Sequence, residues 1–342
     1  MQLTKKTRNL LFALFAMLLA VFFGLELALG SVSLPLGEVW NWLRGAETDP
    51  TARALLGTFR LPKAIVAVTA GAALSASGLQ MQTLFRNPLA GPYLLGVSSG
   101  ASLGVSLFLI GIPVLGLPLS AEWVRNLGVA GAAWVGSAAI LTIVFAAATR
   151  VKEIMAVLIL GMMIGSGATA LVEILQYLSP ESALKSFVVW TMGSLGGVSS
   201  SQLWILVLFV AAGLLLSIFL IKPLNLLLLG ESYARTLGQN TRRVRTMIFA
   251  GTTLLAGTVT AFCGPIAFIG IAVPHITRMV FRNADHRVLM PASMLIGAVV
   301  MLGCDIIAQL PGMDMVLPIN TVTALVGIPV VIAVIVKNHK FF

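Results

Sequence analysis

Predominantly apolar runs of about twenty residues recur along the whole chain, separated by short polar or basic stretches. They lie near 10–30, 63–85, 92–112, 128–148, 154–178, 201–221, 246–263, 264–281, 289–310 and 317–336. A helix crossing the hydrocarbon core of a bilayer needs about 20 predominantly apolar residues. The pattern therefore predicts an all-α integral membrane protein with ten transmembrane helices in a single domain over 1–342, both termini on the cytoplasmic side. Gly and Pro interrupt the pattern around 264–275 and 311–318. In a membrane such breaks survive only where neighbouring helices or a water-filled cavity satisfy the freed backbone groups.

Composition agrees. Of the 342 residues, 58% are hydrophobic and 10% charged, against about 25% charged in ordinary soluble domains. A soluble enzyme, a disordered chain and a disulfide-stapled secreted domain are excluded; the two cysteines, Cys263 and Cys304, both lie in apolar runs. The first run follows Lys5, Lys6 and Arg8 in the manner of a signal peptide, but its length exceeds a usual signal core, and a retained first helix is expected.

The net charge of +10 is a statement about orientation. Sixteen basic residues, including Arg86, Arg150, Lys152, Lys222, Arg235, Arg242, Arg243, Arg245, Arg278, Arg282, Arg287 and Lys340, fall on one side with three acids. The other side is balanced, with six basic residues (Arg44, Arg53, Arg60, Lys63, Arg125, Lys185) and six acids, Asp314 among them. An excess of Lys and Arg on the cytoplasmic side is the positive-inside rule, so the basic balance implies no nucleic-acid partner.

Two connections exceed what packing needs. The outer segment 31–60 carries Trp40 and Trp42 on a short amphipathic stretch suited to the interface. In the cytoplasmic segment 222–245, Gly230 to Leu237 has the pattern of a short helix, Gly238 is placed to end it, and a basic cluster follows. Such a loop is a docking element for a soluble partner or a basic loop held near anionic headgroups, and composition leaves both open.

Candidate chemistry is sparse. No phosphate-binding loop is present, nor any zinc-protease or serine-hydrolase motif. His275, His286 and His339 have no Cys or carboxylate at metal-ligand spacing, and His275 is expected to be hydrogen-bonded at a helix contact. Gly96, Gly100 and Gly104 predict one flat helical stripe; Gly161 with Gly165, and Gly71 with Ser75, repeat the spacing. Small residues at this period let helices approach closely, so a compact bundle with helix contacts between subunits is expected. Glu173 is placed to face an aqueous cavity, while Glu26 and Asp305 sit near the outer boundary, where they can reach water.

Four ordered blocks resemble the FecCD-type permeases of bacterial ABC importers for vitamin B12, haem and ferric siderophores. They are Arg60-Leu61-Pro62-Lys63 running on through Gly78–Ala90 and Pro92–Ala101, Leu229–Gly238, Gly264–Gly270 with Val273–Ile276, and Leu317–Asn320 with Thr323 and Gly327. The resemblance implies a ten-helix subunit in a homodimer, with the substrate path on the twofold axis, in the bacterial inner membrane. It implies two ATPase subunits carrying ATP and Mg on the cytoplasmic face and a periplasmic or lipid-anchored binding protein outside. This chain itself would bind no cofactor and no metal. Gly230, Glu231, Ala234, Arg235, Leu237 and Gly238 match the family's ATPase-coupling motif. Arg60 matches a position that holds acidic groups of the binding protein; Lys63 stands where a second arginine is usual, and Gln309 where a third is common. Val316 and Asn320 replace the usual Glu and Gly around Leu-Pro-Ile. Ile154 and Met155 fall where the family places small polar gate residues. A different mechanistic class, an ion-coupled secondary transporter using Glu173 or Asp305, and a membrane scaffold without cargo are the competing expectations.

Overall fold

A computed structural model describes residues 3–309 and 315–337, apart from 31, 33, 113–121, 149 and 152. Lys152, Asp314, His339 and Lys340 lie outside the described residues. All regular structure among the described residues is helical. Seven helices are long and apolar enough to cross a membrane: α1 (Lys5–Ala28), α3 (Pro50–Phe85), α5 (Glu122–Ala148), α6 (Ile154–Tyr177), α8 (Ser200–Phe219), α11 (Thr241–Cys263) and α13 (His286–Ala308). Three further apolar helices are α4 (Val97–Gly111), α12 (Ile269–Phe281) and α14 (Ile319–Lys337). Four short helices, α2 (Leu36–Leu43), α7 (Glu181–Met192), α9 (Ile221–Leu228) and α10 (Glu231–Thr236), and a 3-10 turn over Pro92–Leu95 complete the described set.

The central element is α3. Asp49 caps its start, accepting from the Thr51 and Ala52 amides at 3.0 and 3.2 Å, with Pro50 in the first turn. Residues 55–60 form a wide π turn before the helix regains α geometry, and from Ala70 to Phe85 every residue is buried. Small side chains let that segment touch its neighbours backbone to backbone. A methyl group on Gly71 would lie 2.2 Å from the Gly297 carbonyl of α13, and one on Gly78 would lie 1.7 Å from the Gly270 carbonyl of α12. Association without a hydrophobic driving force depends on such close packing.

The second small-residue set packs α4. Methyl groups on Gly100 and Gly104 would meet the Gly136 and Ala132 carbonyls of α5 at 2.6 and 2.0 Å, and one on Gly165 would lie 3.2 Å from the Gly96 Cα. One expectation changes here. Gly96 is not part of the helical stripe: it sits before α4 with φ of 80°. The close contacts that these five glycines make within the chain are to α4, α5, α6 and the turn before α4.

The run at 264–281 is a broken element. Residues 264–268 are non-helical, with Gly264 and Phe268 at positive φ, and α12 starts only at Ile269. Side chains from elsewhere satisfy the freed amides: the Tyr93 hydroxyl accepts from Ile266 N at 3.3 Å, and Asn320 Oδ1 accepts from Ala267 N at 3.0 Å. Non-helical backbone at this depth requires such partners. The outer segment 31–60 also differs from a plain loop, because α2 and the first turns of α3 occupy much of it; Arg44 stacks 4.4 Å over the Trp40 ring.

The basic residues gather at one end of the bundle. There Arg86 bonds the Leu227 carbonyl at 3.3 Å, Asn225 bonds Asp285 at 2.6 Å, and Arg150 lies beside Arg242 and Arg245. The start of α3 and the ends of α1 and α13 lie at the opposite end.

Candidate functional site

At the basic end the chain descends from α8 into α9, turns at Gly230, forms α10, and turns again into α11. Gly230 has φ of 118°, and a side chain there would lie 2.8 Å from the Arg86 guanidinium, so glycine suits it on two counts. Glu231 opens α10 and Arg235 closes it, each with the sign that the helix ends favour. Glu231 Oε1 accepts from Arg235 at 2.7 Å, while Arg245 reaches both carboxylate oxygens at 2.9 and 2.7 Å. Arg235 also donates through Nε to Thr241 Oγ1 at 3.1 Å. Partial burial pushes the Glu231 carboxyl upward, but hydrogen bonds from Arg245 and Arg235, and their charges, outweigh it and hold its pKa below the usual 4.5. Ala234 is fully buried and anchors the short helix, whereas Tyr233 and Leu237 are exposed. Gly238, with φ of 81°, lets the chain turn toward Asn240, which caps α11 through the Arg243 amide at 3.0 Å. The six residues Gly230, Glu231, Ala234, Arg235, Leu237 and Gly238 thus form one braced element, buried at Gly230 and Ala234 and exposed at Arg235, Leu237 and Gly238.

At the opposite end the sequence expectation needs correcting. Glu26 and Asp305 do not reach water: their side chains are 1% and 3% exposed. Lys63 Nζ lies 3.1 Å from Asp305 Oδ2 and 3.6 Å from Glu26 Oε1, and Gln309 Nε2 donates to Glu26 at 2.5 Å. Arg60 points its guanidinium at the end of α1, donating to the Leu27 and Ala28 carbonyls at 2.7 and 2.9 Å and to the Val32 carbonyl. Both residues expected to project toward a binding protein are therefore engaged within the chain, which the α1–α3–α13 packing demands once two carboxylates are buried. Asp305 is the counterion of Lys63 and is not an acid standing open to an aqueous path.

Glu173 is exposed and sits at one end of an open groove of about 520 Å³ along α6. Gly161, Gly165, Ser166 and Thr169 share that groove, and Thr169 donates to Ser99 of α4 at 3.2 Å. Ile154 opens α6 partly buried against the core; Met155 beside it is 45% exposed. His275 bonds the Pro88 carbonyl at 2.7 Å, and His286 bonds Thr83 and Asn225, both at 2.8 Å. These are structural contacts between segments. Among the described residues no cluster of three or more His, Cys, Asp or Glu side chains is arranged to hold a metal ion.

A family model described as the FecCD transport family matches residues 17–337. The chain belongs to the FecCD family. It is 36% identical over 328 residues to the hemin transport system permease protein of Yersinia pestis, covering 95% of each chain. It is 36% identical over 335 residues to the vitamin B12 import system permease protein of Klebsiella pneumoniae subsp. pneumoniae, covering 98% of this chain and 96% of the relative. Its fold is similar to a solved chain of a metal-chelate type ABC transporter in an inward-facing conformation, with a TM-score of 0.83, 29% identity, and 96% and 99% coverage. Within this FecCD chain, the Glu26–Lys63–Asp305–Gln309 cluster and the Tyr93 and Asn320 supports for 264–268 went unforeseen. The signals available were an acid near the end of an apolar run and an Asn where the family usually has Gly.

Proposed function

We propose that the chain is the membrane-spanning subunit of an ATP-driven importer that moves a metal chelate, either a ferric siderophore, haem or cobalamin, into the cytoplasm. The observation that carries the reading is the similarity over nearly the full length to haem and vitamin B12 permeases, joined to the match in fold to a metal-chelate transporter. The positive-inside rule puts the basic end, with both termini, in the cytoplasm of a bacterial inner membrane, and the ten apolar helices then cross it.

In this reading α10 with its flanking glycines receives ATPase subunits, which hold the ATP and Mg. Tyr233 and Leu237 supply exposed apolar contact, and the Glu231–Arg245 bridge passes force into α11. The groove along α6 is open on its outer side and flanked by exposed Met155, Ile159 and Met163, which fits a path completed by a second copy of the chain. Ile154 and Met155 would close its inner mouth as an apolar gate that dewets. On the outer face Arg60 and Lys63 hold the surface on which a substrate-binding protein docks.

Reconstitution with the cognate ATPase and binding protein tests this. ATP-dependent uptake of at least one of the three chelate classes is the expected result. Uptake that persists without the ATPase and collapses with a protonophore would instead establish ion coupling.

A further inference from the structure

A pocket of about 400 Å³ opens beside the coupling element, between the end of α5 and the start of α11. Four guanidinium-bearing residues, Arg150, Arg235, Arg242 and Arg245, line it with a single acid, Glu231. Glu231 is already saturated by Arg235 and Arg245. Arg150 and Arg242 are exposed and take part in no described ion pair, so the pocket keeps a net charge of three positive units. Its inner wall is apolar: Phe145, Ala148 and Val151, with Phe145 braced edge-on against Phe249 at 6.0 Å. Farther along the same two helices the residues on the pocket's own face, Leu141 and Val144 on α5 and Ile248 and Phe249 on α11, are buried in the core.

We propose that this pocket binds the phosphate of an anionic phospholipid, with the glycerol end of the lipid against Phe145, Ala148 and Val151. Guanidiniums grip phosphate oxygens in bidentate fashion, and a basic pocket between membrane helices at headgroup depth suits an anionic lipid. A protein partner is a poorer occupant: the exposed apolar groups of α10, Tyr233 and Leu237, leave its short helix on a different side from Glu231 and Arg235. A lipid held here bears directly on the Glu231–Arg245 bridge. The site requires only that α5 and α11 span a bilayer, so it stands or falls separately from the transport reading.

The test uses the purified full-length chain in detergent, titrated with phosphatidylglycerol and followed by native mass spectrometry. Phosphatidylcholine and inorganic phosphate form parallel arms, and R150Q/R242Q is compared with wild type. Saturable phosphatidylglycerol binding, stronger than phosphatidylcholine and about thirtyfold weaker in the double variant, is expected from the loss of two basic contacts. R242Q alone, at an exposed side chain, keeps the measurement readable if the double variant misfolds, and a loss of about fivefold is expected. Phosphatidylglycerol affinity unchanged in the variants overturns the proposal, as does displacement by equimolar inorganic phosphate. So does a variant that keeps the lipid and loses its ATPase subunit, which would assign the pocket to that protein.

Discussion

The two ends of the bundle each set a glutamate among basic side chains, and burial makes them different devices. At the outer end Glu26, Asp305 and Lys63 come from three helices, and the two acids are 1% and 3% exposed. At the inner end Glu231 is 29% exposed, Arg235 63% and Arg245 12%, on two adjacent elements. A charge taken out of water must be matched within the fold, and once matched it fixes the helices that carry it. A charge left half in water can exchange its partner at little cost. The outer cluster is a lock on α1, α3 and α13, while the inner one is a contact that a partner or ligand can rearrange.

Breaking the lock should have the largest effect. K63M leaves two buried carboxylates facing each other, and losing one partner of a buried pair costs about 3–5 kcal/mol. Thermal unfolding of the purified chain in detergent should show it as a large fall in Tm or as loss of folded protein. The variant E26Q/K63M/D305N removes the charges together and should recover most of that loss. A K63M chain that melts like wild type would show that the cluster locks nothing.

A neutral contact separates burial from charge. Asn320 reaches from α14 to the Ala267 amide in the non-helical segment, and N320G withdraws it. An unsatisfied amide costs about 1–3 kcal/mol, less than an unpaired charge, so the same melting assay should place N320G between wild type and K63M. A loss equal to that of K63M would mean that the geometry of 264–268, not charge, sets the scale.

These two sites also mark where legibility ended. Runs of twenty apolar residues are local patterns, and each of them contains an apolar helix, although the helices of the runs 92–112 and 264–281 begin only at Val97 and Ile269. The short helix α10 was equally plain, because Gly230 and Gly238 bracket seven residues and both adopt the positive φ that glycine favours. By contrast Glu26, Lys63 and Asp305 are brought together from three distant helices, and the spacing within any one of them says nothing about that meeting. Arg60 and Lys63 read as outward charges because their acceptors, the Leu27 and Ala28 carbonyls and two acids on other helices, cannot be seen from their own neighbourhood. The glycine stripes were legible as packing surfaces, but what they pack against was not.

At the inner end the prediction reverses. E231K should lower the melting temperature less than K63M does, because Arg235, 63% exposed, returns to water and only Arg245, 12% exposed, is left beside a like charge. Its effect should appear in assembly, as a roughly tenfold weaker association with the ATPase subunits in a pull-down titration, about 1.4 kcal/mol. Undiminished assembly would remove Glu231 from the coupling surface.

The smallest effect discriminates the two clusters most cleanly, because pH and salt act on the wild-type pair itself. Arg245 and Arg235 hold Glu231 below its ordinary pKa of 4.5 despite partial burial. A depressed folded-state value means that the bridge contributes stability above the unfolded value. That contribution is lost as pH falls below 4.5 toward and through the lower, folded-state value. Hydrogen exchange of the amides in 231–245 should therefore speed up, after correction for intrinsic rates, as pH falls through that window. The effect is limited to about 1 kcal/mol by exposure, and E231Q should abolish the pH dependence. Raising salt should mimic it at neutral pH, since a Debye length near 3 Å at 1 M screens exposed charges and leaves buried ones almost untouched. The Tm penalty of K63M should accordingly be the same at low and high salt. If salt erases that penalty while leaving 231–245 protected, the assignment of lock and exchangeable contact is the wrong way round.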